Sequence, residues 1–134
     1  MRTFGLFATA CLVGLAWAGG AGVRAQGYSG QADFQTYCSS CHGASAKGDG
    51  TIASSLAKRP PDLTKLALRN DSKYPADVVF KSIDGREPAS GHGKTDMPAW
   101  IEVFAKSSES EGPGAAKARI DALVKYLETL QEKR

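Results

Sequence analysis

Residues 38 to 42 read Cys38-Ser39-Ser40-Cys41-His42, and they place two thiols and an imidazole within five consecutive positions. Such a cluster is typical of three kinds of site. It can hold a structural zinc ion, carry out thiol–disulfide exchange, or attach a haem covalently. The surrounding sequence has to distinguish among these three chemistries.

The chain begins with a targeting segment. Arg2 precedes an apolar run at 4–17, and Val23-Arg24-Ala25 suits signal peptidase, so cleavage is predicted after Ala25. This assigns 1–25 to a signal peptide and 26–134 to the mature domain. The alternative is an uncleaved membrane anchor, since 4–23 approaches the length that spans a bilayer. Both alternatives predict export.

The mature part is a small folded domain with little net charge. The full chain has 134 residues, 42% of them hydrophobic, which is enough for one core. Its formal net charge of +3 falls to +1 when Arg2 and Arg24 are removed with the signal segment, which contains no acidic residue. That charge does not support binding to nucleic acid.

Counting ligands argues against two of the three chemistries. Signal removal leaves Cys38 and Cys41, and a zinc site would also need both His42 and the isolated His92. A thiol-exchange pair is expected after a strand in a βαβ unit, which the sequence does not predict. Cys-x-x-Cys-His is the attachment motif of c-type haem, and residues three or four apart share one helix face. The motif therefore predicts two thioether bonds and one iron ligand, His42.

A second axial ligand is predicted at Met97, the only methionine outside the signal segment. Pro98 disfavours a helical conformation at Met97, so this thioether is expected in an extended loop. His92 lies between two glycines and is interpreted as an exposed loop residue. A methionine ligand favours reduced iron and raises the reduction potential.

The remaining pattern predicts helices joined by loops. The expected helices are one beginning near Gly30 after the cap Ser29, a short one within 62–70, one from Pro75 to a stop at Gly85, and one from Pro98 to about Lys106. Loops are expected at 43–61 and 107–114. A final amphipathic helix is the clearest element, because apolar residues recur at helical spacing: Ile120, Leu123, Val124, Leu127, Leu130.

From Gly30 to about Leu130, the chain resembles class I c-type cytochromes of the bacterial periplasm. Five features carry the resemblance: the motif at 38–42, Gly30 with Phe34, the 123–127 stretch Leu-Val-Lys-Tyr-Leu, Pro61-Asp62-Leu63, and Met97-Pro98. It implies an all-α fold whose N- and C-terminal helices pack together while short helices and loops wrap one haem c. It also implies that the Pro61 carbonyl accepts a hydrogen bond from His42 and that Leu63 packs on the haem.

The expected function is one-electron transfer between periplasmic redox proteins by a monomeric carrier that is not an enzyme. Its partners would be a redox donor and acceptor, such as a periplasmic dehydrogenase or a terminal oxidase. The alternative is a haem enzyme or sensor in which Met97 dissociates, so that peroxide or a small gas binds. Predicted shielding residues of the haem are Leu63, Val79, Ile83, Trp100 and Phe104. Predicted propionate partners are Arg69, Asn70, Tyr74, Arg86 and Lys94.

Overall fold

The structure is a computed structural model that describes residues 27–86, 97–107 and 113–133. Its helices are α1 (Gly30–Asp33), α2 (Ser39–His42), α3 (Ala76–Asp84), α4 (Trp100–Ala105) and α5 (Pro113–Thr129). A π-helical segment, Phe34–Cys38, joins α1 to α2, and 3₁₀ turns lie at Ala53–Ser55 and Leu63–Lys65. No strand occurs in these ranges, and the prediction of an all-α fold is confirmed. The predicted signal segment, 1–25, lies outside the described residues.

The first helical run consists of α1, the π-helical segment and α2, and it begins where the sequence predicts. The Ser29 hydroxyl accepts a hydrogen bond from the Ala32 amide at 3.2 Å, as expected of an N-cap. The run then departs from regular α-helix, because the Ser39 amide donates to the Phe34 carbonyl five residues earlier. A π-helical turn holds one more residue than an α-helical turn, so it rotates the motif relative to α1.

The first run packs against α5 at a glycine. A Cβ at Gly30 would collide with the Ala122 carbonyl oxygen, so only glycine permits this approach of the two helices. One turn later, the Phe34 ring packs on the Tyr126 ring with 5.6 Å between centroids. The expected packing of the N-terminal helix on the C-terminal helix is therefore present, with Gly30 at the closest point.

The apolar face of α5 forms the centre of the core. Ile120 and Leu123 are fully buried, as is Phe34 on the first run. Leu130, expected on the same helical face, lies just beyond the end of α5 and is half-buried. α5 also begins at Pro113, within the loop predicted for 107–114.

The shorter elements follow the predicted order with shifted bounds. The helix expected within 62–70 is only a 3₁₀ turn, and Asp62 caps it by accepting from the Thr64 amide at 2.9 Å. Pro75 precedes α3 instead of beginning it, while Gly85 ends α3 in the left-handed conformation, as predicted. No helix within the described ranges combines the length and apolar character needed to cross a bilayer.

Candidate functional site

A cavity of about 180 Å³ lies between the first helical run, the 63–66 turn, α3 and α5. Its described walls are apolar apart from Cys38, His42 and Ser82. The lining residues are Phe34, Cys38, His42, Pro61, Leu63, Leu66, Pro75, Val78, Val79, Ser82, Ile83, Met97, Leu123 and Leu127. A cavity of this composition suits a flat, largely apolar group with one polar centre.

Five of the six residues predicted to contact a cofactor line this cavity: Cys38, His42, Pro61, Leu63 and Met97. The first two come from the helical run, the next two from the segment around the 3₁₀ turn, and Met97 from the segment before α4. Residues far apart in sequence thus meet on one surface. Cys41 is half-buried and lies outside the set of lining residues.

His42 carries an unusual buried nitrogen. Among the described residues, its Nδ1 atom is buried without a hydrogen bond of standard geometry. The Pro61 carbonyl nevertheless lies close enough to the ring to raise the pKa of His42, against the larger lowering caused by burial. The net shift is downward, which favours the neutral imidazole that binds metals. A buried, neutral imidazole beside a carbonyl fits the role of an oriented iron ligand.

The loop after the motif holds the end of α2. All four carbonyls of α2, which have no partner within so short a helix, accept backbone hydrogen bonds of 2.8 to 3.2 Å. The donors are the amides of Gly43, Gly48, Gly50 and Ile52. A Cβ at Gly50 would collide with the Ser40 carbonyl oxygen, so the glycine lets the loop reach the motif. The loop 43–52 therefore fixes the backbone of His42.

The environment of Cys38 argues against thiol–disulfide exchange. Burial, with smaller contributions from Asp33 and Cys41, raises the pKa of the Cys38 thiol to about 12. Exchange requires a thiolate, and reactive cysteines usually have a lowered pKa. Cys38 and Cys41 are both free thiols here. The Cys38 thiol, on the wall of the cavity, is suited to a covalent bond with a bound group instead of to redox cycling.

The described residues also provide no support for a zinc site. Within 27–86, 97–107 and 113–133, no three side chains from His, Cys, Asp and Glu form a group able to hold a metal ion. The fourth ligand that a zinc site would need, His92, lies outside the described residues. Cys38 and His42 of the motif line the apolar cavity instead.

A comparison with protein families matches the Cytochrome c family over residues 28–131. The chain belongs to the cytochrome c family. Comparisons with curated proteins and with solved structures find no match to it. Membership means that this cytochrome binds haem c covalently and takes part in electron transfer, and the match agrees with a class I monohaem protein. The apolar cavity, with His42 on its wall, fits that cofactor.

Two predicted shielding residues lie elsewhere. Leu63, Val79 and Ile83 line the cavity, but Trp100 and Phe104 do not. Their rings pack on each other, with centroids 5.5 Å apart, and both also pack on Tyr37. Both aromatic residues of α4 therefore face Tyr37 of the first helical run.

Residues predicted to pair with the propionates have other contacts in the structure. The Tyr74 hydroxyl donates to the Val124 carbonyl at 2.9 Å, and Arg86 makes a two-pronged ion pair with Asp84. Arg69 donates to the Asp62 carbonyl, and Asn70 donates to the Lys73 carbonyl. Lys94 lies outside the described residues. These contacts show how each side chain is held within the chain.

Arg119 is a buried residue that the sequence pattern did not reveal. It lies on α5 with 1% of its surface exposed, and its guanidinium pairs with Asp33 at 2.6 Å. It also lies over the Phe104 ring, 4.3 Å from the centroid. The hydrogen bonds that Arg119 donates to Asp33 raise the pKa of Arg119 further, so the charge is permanent. The only sequence signal was an arginine beside Ile120 on the apolar face.

Proposed function

We propose that this cytochrome carries single electrons between periplasmic redox proteins through a haem iron held by His42 and Met97. Cys38 and Cys41 would attach the haem. The observation that carries the proposal is the meeting of His42 and Met97 on one apolar cavity. Among the described lining residues, these two offer the imidazole and the methionine thioether that usually serve as axial ligands.

The side chains around the cavity would set the properties of the iron. When bound, the haem supplies a one-electron couple. The neutral His42 ring, oriented by the Pro61 carbonyl, would be a strong donor, while the apolar wall excludes water and disfavours the more positive ferric state. With both axial positions occupied, a small substrate would have no coordination site. We therefore infer a carrier instead of an enzyme.

The cavity also reaches the protein surface. Val78 lines it and is nevertheless 61% exposed, because adjacent helical residues point about 100° apart and Val79 takes the buried position. Ser82, one turn further along α3, is exposed and lines the cavity too. This side of α3 is therefore where a redox partner could approach the cofactor closely.

Ligation by Met97 can be tested with the ferric absorption spectrum of protein produced with haem maturation machinery. We expect the weak red charge-transfer band of iron–methionine bonding in the wild type and its loss in Met97→Leu, which keeps the side-chain size. A matched control adds Val103→Met to Met97→Leu. Val103 is an exposed residue of α4, so the second methionine should not restore the band.

A high-spin ferric spectrum in the wild type, or a charge-transfer band that survives in Met97→Leu, would contradict the carrier proposal. Either result would favour an iron site that opens to peroxide or a small gas. His92, which lies outside the described residues, would then be the next residue to substitute.

Periplasmic export has its own test. Mass spectrometry of the mature protein should give a chain that begins at Gln26 and carries one covalent haem. A chain that retains 1–25 and partitions with membranes would instead support the uncleaved anchor, while leaving the ligand proposal untouched.

A further inference from the structure

A side chain beyond the end of α5 holds one wall of the cavity. The Gln131 amide nitrogen donates to the carbonyls of Leu63 and Leu127, both at 2.8 Å. Its amide oxygen accepts from the Ala67 amide at 2.9 Å. One half-buried side chain thus binds both ends of the 63–67 segment and joins them to the last turn of α5.

The 63–67 segment supplies part of the cavity wall and has other anchors, among them the Thr64 amide and hydroxyl, which donate to the Asp62 carboxylate at 2.9 and 2.6 Å. Leu63 and Leu66 both line the cavity. The Leu63 amide donates to the Ala46 carbonyl at 2.8 Å, and the Thr64 carbonyl accepts from the Glu132 amide at 2.8 Å. Ala46 belongs to the loop that fixes the His42 backbone. Hydrogen bonds therefore join the 63–67 segment to the loop beside His42 on one side and to the residues that follow α5 on the other.

The three hydrogen bonds need a primary amide of this length. The two N–H groups of Gln131 meet two carbonyls, and its single oxygen meets an N–H group. A carboxylate has no donor and would face the two carbonyl oxygens. A hydrocarbon side chain would leave the Leu63 carbonyl and the Ala67 amide without these partners, which is costly, while the Leu127 carbonyl would keep its hydrogen bond from the Leu130 amide.

We propose that Gln131 is a positioning residue, which keeps Leu63 and Leu66 packed at the cavity and so excludes water from the cofactor. The inference rests on the proposed function, because it concerns the environment of the haem iron. Without Gln131, the wall loosens and water enters. The higher local polarity stabilises the ferric state, so the midpoint potential falls.

Two variants of haem-loaded protein test this idea. Gln131→Met preserves size and removes all three hydrogen bonds, while Gln131→Glu reverses the polarity of the donor end. At the wild-type midpoint potential, the ferric-to-ferrous ratio should rise on the order of threefold in Gln131→Met and further in Gln131→Glu. Amide hydrogen exchange at Leu63 and Ala67 should accelerate in both variants, without a matching change in α1.

Two controls separate positioning from general stability. Gln31→Glu makes the same chemical change on an exposed residue of α1 and should leave the potential unchanged. Ser107→Ala removes a hydrogen bond to Arg119, far along the chain from the 63–67 segment, and should lower stability without lowering the potential. If Gln131→Glu fails to fold, the midpoint potential and amide exchange of Gln131→Met still test the proposal.

Unchanged potentials in the Gln131 variants would overturn the inference, as would a fall equal to that in Ser107→Ala at the same loss of stability. These outcomes are distinct from failure of the proposed function. A wild-type spectrum without iron–methionine bonding would refute the ligand proposal. The exchange rates at Leu63 and Ala67 would still report whether Gln131 holds the segment.

Discussion

The first helical run is buried on two sides by opposite chemistry. Phe34 and Cys38 face the apolar cavity, while their neighbours Asp33 and Tyr37 face the Arg119 guanidinium. On the cavity side, the described walls are almost entirely apolar. On the other side, a charged pair is enclosed by aromatic rings.

The difference concerns what completes each side. On the Arg119 side, protein groups satisfy the buried charge. Asp33 neutralises the guanidinium, and the Ser107 hydroxyl accepts a further hydrogen bond from it at 3.0 Å. The cavity side is apolar, and the side chains of the described residues line it without filling it. We expect its packing to be completed by the cofactor, whereas the Arg119 side should be independent of it.

Removal of the cofactor should have the largest effect. Cys38→Ala with Cys41→Ala prevents covalent attachment and so removes the group that packs against the apolar wall of the cavity. Loss of that packing is a large effect in a small domain, because its total stability is marginal. We expect loss of cooperative thermal unfolding by circular dichroism. Ser40→Ala, at the exposed residue between the cysteines, is the control and should retain haem. Covalent haem in the double variant would show that the motif is not the attachment site.

Breaking the charged pair should have the next largest effect. Arg119→Met leaves Asp33 buried without its partner and should cost about 3 kcal/mol by denaturant unfolding of the haem-loaded protein. Adding Asp33→Leu should recover part of the loss. The midpoint potential should stay at the wild-type value if the two sides are independent.

The matched control for Arg119 lies on the same helix. Lys117 pairs with Asp121 at 2.8 Å, but both side chains are largely exposed. Lys117→Met should therefore cost less than about 1 kcal/mol. Equal losses in Arg119→Met and Lys117→Met would mean that burial of the Arg119 pair contributes nothing.

The packing of α1 against α5, which supports both the cavity side and the Arg119 side, can be tested by substituting two glycines. Gly30→Ala forces a Cβ against the Ala122 carbonyl and should destabilise the domain by about 2 kcal/mol, because α1 and α5 must separate. Gly114→Ala is the control, since a Cβ there meets no atom within 4 Å. Alanine favours a helix, so this variant should be neutral or slightly more stable in thermal unfolding. A stable Gly30→Ala protein would contradict the close packing.

The smallest effect is expected from acid titration at the end of α3. The hydrogen bond from Arg86 holds the pKa of Asp84 below its usual 3.8. A lowered pKa stabilises the folded state above pH 3.8, and this contribution is lost as the pH falls below that value through the folded pKa. In Asp84→Asn, the free energy of unfolding should therefore fall less steeply as the pH is lowered below 3.8. Asp71→Asn, at an exposed turn residue, should leave this pH dependence of the free energy of unfolding unchanged.

Local chemistry made much of the fold predictable. Ser29 and Gly85 act where the sequence places them, because capping and a left-handed helix end depend on neighbouring residues alone. Element bounds were less predictable. The helix expected within 62–70 shrinks to a 3₁₀ turn, and the Ala67 amide donates to the Gln131 side chain instead of to the Leu63 carbonyl.

Side-chain roles that depend on contacts between distant segments escaped sequence reasoning. Trp100 and Phe104 were expected beside the haem, but the orientation of α4 turns them toward Tyr37. Arg119 lies on the apolar face of α5, but the sequence does not indicate that Asp33 and Phe104 enclose it there. Neither placement follows from helical periodicity, because periodicity gives the face of a helix and not what packs against it.

The sequence alone indicated helices joined by loops, through caps and apolar periodicity, and it indicated haem c, since Cys38-Ser39-Ser40-Cys41-His42 is a local motif whose chemistry needs only its own spacing. The tertiary structure alone decided that His42, Leu63 and Met97 share one cavity, and that Gln131 holds the wall beside them. The reason is physical. A motif is set by bonds within one helix, whereas a cavity is formed by surfaces that only packing brings together.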